Sequence, residues 1–426
     1  MLAKFKDNNF FKTMLHYAAS QLVGNMFRLI SGFLTVRLIE PQIYGIFTGY
    51  GVYLGYILLG PLGLSNGLSR ELPYEMGRGN DAYAGKLANS VFVVMTILGA
   101  IAASAFIIWG SVEAYHHHRD AAIVLFTYSV SAALVLMNKH FLPVLYRTNK
   151  DFKKESKINI AVSIANVVTV VMVWYWGLMG LCVRGIILIV FETSLLNYFK
   201  PYKLKFEWNK EDLKKLFKTG LPIFFVGQVN PQWTNIMNTL LFSFGGALNF
   251  GYFALCSITQ ATIGIIPNAF SQVLYPKMSR MYGEGKSLKT IYYSFRKAAY
   301  LQSVFIFGIA VIGTFIIPWV IPPLLPKYVN GIAAAQWMMF VPAVQSLSLM
   351  NNLFNVAKKQ TWYFLSLIAG AIGGTIYILI RLKLGTFNLV FFPQGLIVGA
   401  IIQQGMCMFA INKLVHLPEF SNERAG

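Results

Sequence analysis

Apolar residues along this chain recur in windows of about 20, separated by short segments rich in lysine, arginine, glycine and proline. A window of that length crosses ~30 Å of hydrocarbon at about 1.5 Å per helical residue. The strict alternation of a membrane β-barrel is missing. The pattern predicts twelve spans, at approximately 14–39, 43–64, 84–110, 120–144, 157–176, 178–199, 215–242, 247–274, 293–317, 332–355, 361–382 and 393–414. The expected fold class is therefore all-α, a polytopic membrane protein of about 12 transmembrane helices. The basic opening MLAKFKDNNFFK runs into a full-length span and not into a short apolar region with a small-residue cleavage site, so the first span is expected to be retained.

Composition agrees, and it removes the soluble classes. Hydrophobic residues make up 56%, charged residues 12%, and the mean hydropathy is +0.55, outside the range of soluble globular chains. The net charge of +20 needs no nucleic acid to explain it, because most of the 36 lysines and arginines fall on one side of the predicted spans. That side holds Lys4, Lys6 and Lys12, the loops around Arg70 and Arg147, the lysine-rich stretch from Lys200 to Lys218, the loop from Lys277 to Lys297, and Lys413. The opposite side carries Arg37, Arg119, Lys327, Arg381 and Lys383. Basic loops mark the cytoplasmic face, so both termini are expected there, with the surplus charge attracting anionic membrane lipids. Cys182, Cys256 and Cys407 all lie in apolar windows, where a lone thiol acts as a small hydrophobe, and no disulfide framework is expected.

An internal repeat organises the spans. Shifting the chain by 206 residues aligns QIYGIF (42–47) with LNFGYF (248–253), Pro61 with Pro267, Ser65 with Ser271, and MGRG (76–79) with YGEG (282–285). A weaker echo pairs LMNK (136–139) with LMNN (349–352). Both halves begin on the same side of the membrane, so the repeats are parallel. The expected organisation is a six-helix lobe over 1–200, a cytoplasmic linker over 201–214 and a second six-helix lobe over 215–426, with a central cavity between the bundles.

Polar residues inside the spans are the candidates for function. In the first span Gln21, Gly24, Asn25, Arg28, Ser31, Gly32 and Thr35 recur at steps of three and four and share one helical face. The register-matched seventh span does the same with Gln228, Pro231, Gln232, Asn235 and Asn238. Such stripes either pack and hydrogen-bond neighbouring helices or line a wet cavity; the arginine and the amides favour the cavity. A cation at mid-bilayer costs roughly 2.5–3.5 kcal/mol on insertion scales, which makes Arg28 the leading candidate. Arg184 has Glu192 two turns further along its face, too far for direct pairing, so it is either a second cavity cation or a structural charge satisfied elsewhere. Lys139 lies towards one end of its span and can snorkel. Asn351, Asn352 and Asn355 cluster in the tenth span. Arg37 has Glu40 nearby for a local ion pair, and His116, His117 and His118 stand alone in a short connection, so no metal site is expected.

The arginine-bearing first span, the EPQIYGIF turn, the glycine-rich second span and SNGLSRELPYEMGRGN together resemble the polysaccharide transporters, specifically the O-antigen (Wzx-type) flippases. These are grouped with multidrug and toxin extrusion transporters and lipid II flippases in the multidrug/oligosaccharidyl-lipid/polysaccharide exporter superfamily. The resemblance implies a protein of the bacterial inner membrane that carries an undecaprenyl-diphosphate-linked glycan from the cytoplasmic to the periplasmic leaflet by alternating access. It requires no cofactor, and glycan polymerase and chain-length machinery are its prospective partners.

A diphosphate crossing hydrocarbon needs fixed cations in place of water, and arginine offers a forked, permanently charged donor for phosphate oxygens. Arg28, helped by Arg184 or Lys139, is expected to hold the phosphates. Gln21, Asn25, Gln232, Asn235 and Asn352 are expected to meet sugar hydroxyls. Arg70 and Glu71, with Arg280 in the matched loop, are candidates for gating the inward opening, and glycines 45, 49, 51, 55, 60 and 63 permit close or bending contacts of the second span. A cation or drug antiporter would want intramembrane acids, for which only Glu192 is available. A membrane glycan polymerase or ligase would want a large periplasmic loop carrying an acid pair or nucleophile, and none is evident. A channel would want a repeated filter sequence, which is also missing.

Overall fold

The chain's own turn chemistry decides where its helices stop. Helix α1 (Asn8–Leu38) ends before Glu40, whose extended backbone (φ −78°, ψ 145°) is the one favoured ahead of a proline, and Pro41 opens α2 (Pro41–Gly51) at a position where its missing N–H costs nothing. The glycine-rich second span, expected at 43–64, is broken into α2 and the single turn α3 (Leu54–Ile57), and α4 (Leu64–Gly77) begins where that span was expected to end. There follow α5 (Asp81–Tyr115), α6 (Arg119–Leu136), a π turn (Met137–Phe141), α7 (Leu142–Thr148), α8 (Phe152–Val168), α9 (Val170–Tyr198) and α10 (Lys210–Tyr252). The remainder comprises α11 (Ala254–Gly283), α12 (Leu288–Leu324), α13 (Ile332–Met338), α14 (Phe340–Gln345), α15 (Asn352–Val356), α16 (Gln360–Leu384) and α17 (Phe391–Val415), with 3-10 turns at Pro326–Gly331 and Ser346–Asn351. This computed structural model describes residues 8–149, 151–357 and 359–417, and every regular element among them is helical.

Two glycines break what would otherwise be continuous helices. Gly177 in α9 (φ 53°, ψ −120°) and Gly246 in α10 (φ 69°, ψ 178°) adopt backbone conformations open to glycine alone. These breaks fall between the fifth and sixth and between the seventh and eighth predicted spans. Seven described helices are long and apolar enough to cross a membrane, or eight if α10 and the start of α11, bent 69° apart, form one broken span. The other expected spans fall short of that measure for visible reasons: α1 carries the polar stripe, residues 41–77 are interrupted, and α8 holds three lysines in 17 residues. The protein is a multi-pass, all-helical membrane protein.

The described residues form two compact units, divided between Asn235 and Ile236. In the first, Leu68, Leu72, Leu87, Leu136, Phe141 and Tyr146 are fully enclosed where α4, α5, α6 and α7 meet. In the second, Leu288, Ile291, Leu353, Phe354 and Cys407 are fully enclosed where α12, α15 and α17 meet. Each core contains one copy of the sequence Leu-Met-Asn-x-x-Phe, at 136–141 and 349–354, and each copy departs from α geometry, as the π turn in one and the 3-10 turn in the other. The asparagine of each copy is buried and finds a partner on the last helix of its unit or its half. Asn138 accepts the Thr193 hydroxyl at 3.0 Å, and Asn351 donates to Gln404 Oε1 at 3.2 Å. A buried amide without such a partner would cost about 1–3 kcal/mol.

Helices surrounded by lipid gain little from hydrophobic burial against one another, so close backbone approach and hydrogen bonds hold them together. Helices α4 and α10 show both. A Cβ on Gly220 would run into the Gly63 carbonyl, and one on Gly67 into the Leu216 carbonyl, so the two backbones touch. Beside this crossing Lys215 Nζ lies 3.1 Å from Glu75 Oε1 and 3.3 Å from Glu71 Oε2, and it also sits 5.2 Å from the centre of the Tyr83 ring. The Tyr83 hydroxyl donates to Asp212 at 2.9 Å. Because the Glu75 side chain is 5% exposed, Lys215→Ala should lower stability by roughly 1–3 kcal/mol through the stranded carboxylate. The melting temperature of the purified protein in detergent measures this, and E75Q/K215Q should recover part of the loss.

Candidate functional site

The polar stripe of α1 meets a second stripe of the same kind on α8. Asn159, Ser163 and Asn166 stand at steps of four and three, so they share one face of α8, and this face packs along α1. Gly24 lets the two helices approach: a Cβ there would come within 2.8 Å of the Asn159 amide and 3.1 Å of the Ser163 hydroxyl. The stripe that suggested a wet surface is thus largely engaged in a helix–helix seam, with two guanidinium groups in it.

At one end of the seam, Arg28 donates through Nη2 to Asn159 Oδ1, and the Asn159 amide donates to Gln21 Oε1 at 3.3 Å. Arg28 itself is exposed, as is Asn25. One turn further along α1 begins the setting of Arg184, which projects from α9 and uses all three of its nitrogens. Nε donates to Thr169 Oγ1 at 3.3 Å, Nη1 to Thr35 Oγ1 at 3.1 Å, and Nη2 to the Asn166 carbonyl at 3.1 Å, to Asn166 Oδ1 and to the Ser31 hydroxyl. Ser31 and Thr35 are buried. Among the described residues neither arginine forms an ion pair with an acid. Their charges are solvated by hydroxyl, amide and carbonyl oxygens, so the seam keeps a net positive field.

The two arginines differ in what they can still do. A guanidinium has five N–H bonds in a planar fork. Arg184 has all three nitrogens engaged and ties α1, α8 and α9 together. Arg28 is held by one side-chain acceptor and presents the rest of its fork at an exposed position, the geometry suited to an incoming phosphate or carboxylate.

The other expected residues lie elsewhere in their units. Lys139 Nζ is 3.3 Å from Glu192 Oε1, so this cation is paired, and Glu192 also faces the Asn138 amide at 3.4 Å. Gln232 donates to the Gly55 carbonyl at 3.3 Å and Asn235 donates to Gln232 at 3.3 Å, closing that part of α10 onto α3. Asn352, in the second unit, donates to Ser271 Oγ at 3.2 Å and to the Leu349 carbonyl at 3.1 Å. Of the gating candidates, Glu71 pairs with Lys215, Arg280 pairs with Glu284 just past the end of its own helix at 2.8 Å, and Arg70 is exposed. His118 contacts Glu113 of the last turn of α5 at 2.7 Å, and no group of three metal-capable side chains occurs among the described residues.

Sequence reasoning missed Asn159, Asn166, Thr169 and Lys215. The first two were signalled by their shared face on α8, a periodicity as regular as that of α1. Lys215 carried no such mark within a run of seven lysines.

Residues 34–327 match the family described as polysaccharide biosynthesis protein. The comparison with curated proteins gives no match. Among solved structures, the chain is similar to an inward-facing multidrug resistance MATE family transporter of the MOP superfamily, with 14% identity, 95% of this chain and 99% of the other covered, and a TM-score of 0.77. It is also similar to the lipid II flippase MurJ in an inward closed conformation, with 12% identity, 93% and 87% covered, and a TM-score of 0.68. A MATE in complex with MaD5 gives 14% identity, 95% and 97% covered, and a TM-score of 0.62. At these identities the likeness establishes a shared fold.

The division of labour in the seam is testable by stability alone. Arg184→Met should cost about 1–3 kcal/mol, because its oxygen partners lose their donor, whereas Arg28→Met should change stability by less than about 1 kcal/mol. Melting temperatures of the two purified variants decide it, and the reverse order would overturn the assignment.

Proposed function

Because the chain belongs to the polysaccharide biosynthesis protein family, we propose that it is a flippase which carries an undecaprenyl-diphosphate-linked oligosaccharide, of the O-antigen kind, from the cytoplasmic to the periplasmic leaflet of a bacterial inner membrane. The observation that carries this reading is Arg28: an exposed guanidinium well inside the 31-residue helix α1, held by an amide and opposed by no acid among the described residues.

The mechanism follows from charge. Two six-helix lobes, 1–200 and 215–426, related as parallel repeats and joined by the lysine-rich linker, alternate between openings to the two sides. Both termini are cytoplasmic. The two Leu-Met-Asn-x-x-Phe copies, each enclosed in its own core and each with its asparagine bonded to a later helix, support the repeat. Arg28 binds the diphosphate with its open N–H groups. Arg184, locked behind it, adds positive potential without touching the phosphates. Lys139, paired with Glu192, contributes on exchanging that carboxylate for a phosphate. Gln21, Asn25, Gln232, Asn235 and Asn352 offer amides to the sugar hydroxyls, and Arg70, Glu71 and Arg280 act at the inward opening. No bond is made or broken in the cargo, so the protein is a carrier and not an enzyme. The pairing of Glu192 with Lys139 leaves it unlike the open acid that a cation antiporter requires.

In a strain dependent on this protein, Arg28→Ala should reduce surface glycan at least about tenfold, the loss of one or two charge-assisted hydrogen bonds to the cargo. The undecaprenyl-linked oligosaccharide should accumulate on the cytoplasmic side at unchanged protein level. Arg28→Lys should restore export in part, since a lysine keeps the charge and loses the fork. Full export by Arg28→Ala at normal abundance would refute the role, and altered drug sensitivity with normal glycan would favour the antiporter.

A further inference from the structure

The lysine-rich segment between α9 and α10 is a non-helical strap fixed along α5. The backbone N–H of Lys205 donates to Asn89 Oδ1 at 3.0 Å, and that of Asn209 donates to Ser90 Oγ at 3.1 Å. Asn89 and Ser90 are 7% and 1% exposed, so two buried polar side chains receive the strap's backbone. The Phe206 ring stands edge-on to Phe92 at 6.3 Å between centres, and the Tyr202 hydroxyl donates to the Met76 sulfur at 2.9 Å.

What the strap turns outward is amphipathic. Tyr198, the last residue of α9, and Phe206 and Trp208 of the strap are 82%, 65% and 62% exposed, and Lys203, Lys205 and Lys210, the last of which opens α10, are exposed beside them. Glu207 is the acid among them, 4.0 Å from Lys205. Large aromatic rings left bare next to lysines are unfavourable in water. They suit the boundary of a bilayer, where a ring sits at the headgroup level and a lysine stem reaches to the phosphates. Depth agrees. Asn89 and Ser90 lie about 12 Å along α5 from its start, at about 1.5 Å per residue, near where its apolar run begins, and α5 is among the helices long and apolar enough to cross a membrane.

We propose that this strap is a lipid anchor on the lysine-rich side of the membrane: Tyr198, Phe206 and Trp208 seat in the headgroup–acyl boundary, and Lys203, Lys205 and Lys210 bind the phosphates of anionic phospholipids. The proposal is independent of which cargo the chain carries.

The full chain reconstituted in vesicles tests it. Cys182, Cys256 and Cys407 are buried, so a W208C variant accepts a fluorescent thiol label selectively. Phospholipids brominated on the acyl chain should quench the label, and aqueous iodide should quench it weakly. Separately, adding phosphatidylglycerol to the detergent-solubilised protein should raise its melting temperature more than phosphatidylcholine does, and K203Q/K205Q/K210Q should lose most of that difference while melting normally without lipid. Strong iodide quenching without bromine quenching, shielding from both quenchers as at a protein–protein contact, or an undiminished phosphatidylglycerol response in the triple variant would each overturn it.

Discussion

A cation in a helix seam of a membrane protein has to be surrounded by something that replaces water, and in this chain the replacement carries no charge. Arg184 is bound by Ser31, Thr35, Asn166 and Thr169, and Arg28 by Asn159. An acid in either place would have cancelled the field and made the pair a packing element. Neutral oxygens solvate the guanidinium while leaving its charge uncancelled, and that constraint explains why α1 and α8 face each other with amides, hydroxyls and a glycine between them. It also separates the two arginines: the one with every nitrogen engaged organises three helices, and the one with a single side-chain acceptor remains able to bind.

The same economy of contact recurs away from the seam. Backbone approach at Gly63, Gly67 and Gly220, with Lys215 set between two carboxylates, joins α4 to α10. Buried asparagines in the irregular turns at 137–141 and 346–351 bond to later helices. In lipid these few polar contacts and close crossings supply what a hydrophobic core supplies in water.

Much of the fold was legible in the sequence because span length and turn chemistry are local. The breaks at Gly177 and Gly246 fall where hydropathy placed connections, and Pro41 begins a helix where EPQIYGIF suggested a turn. The site was legible only in part. Periodicity identified the face of α1 that carries Arg28, but a one-dimensional pattern does not say which helix that face meets, and Asn159 is 131 residues away. The sequence does not choose between a cavity cation and a structural charge for Arg184, because its acceptors are scattered over 31–35 and 166–169. Lys139 and Glu192 were considered apart, since pairing across two spans leaves no spacing signature. The lysine-rich linker was read as a topological signal, and its attachment to Asn89 and Ser90 depends on two polar residues that look unremarkable in an apolar helix.

The proposed carrier role turns on Arg28 offering an open guanidinium to a diphosphate. The most direct measurement is the affinity of the purified protein for a short polyprenyl diphosphate, compared with the uncharged polyprenol, in wild type and Arg28→Gln. Wild type should prefer the diphosphate, and the variant should lose about tenfold or more of that preference, as expected for charge-assisted hydrogen bonds. An unchanged preference in the variant would contradict it.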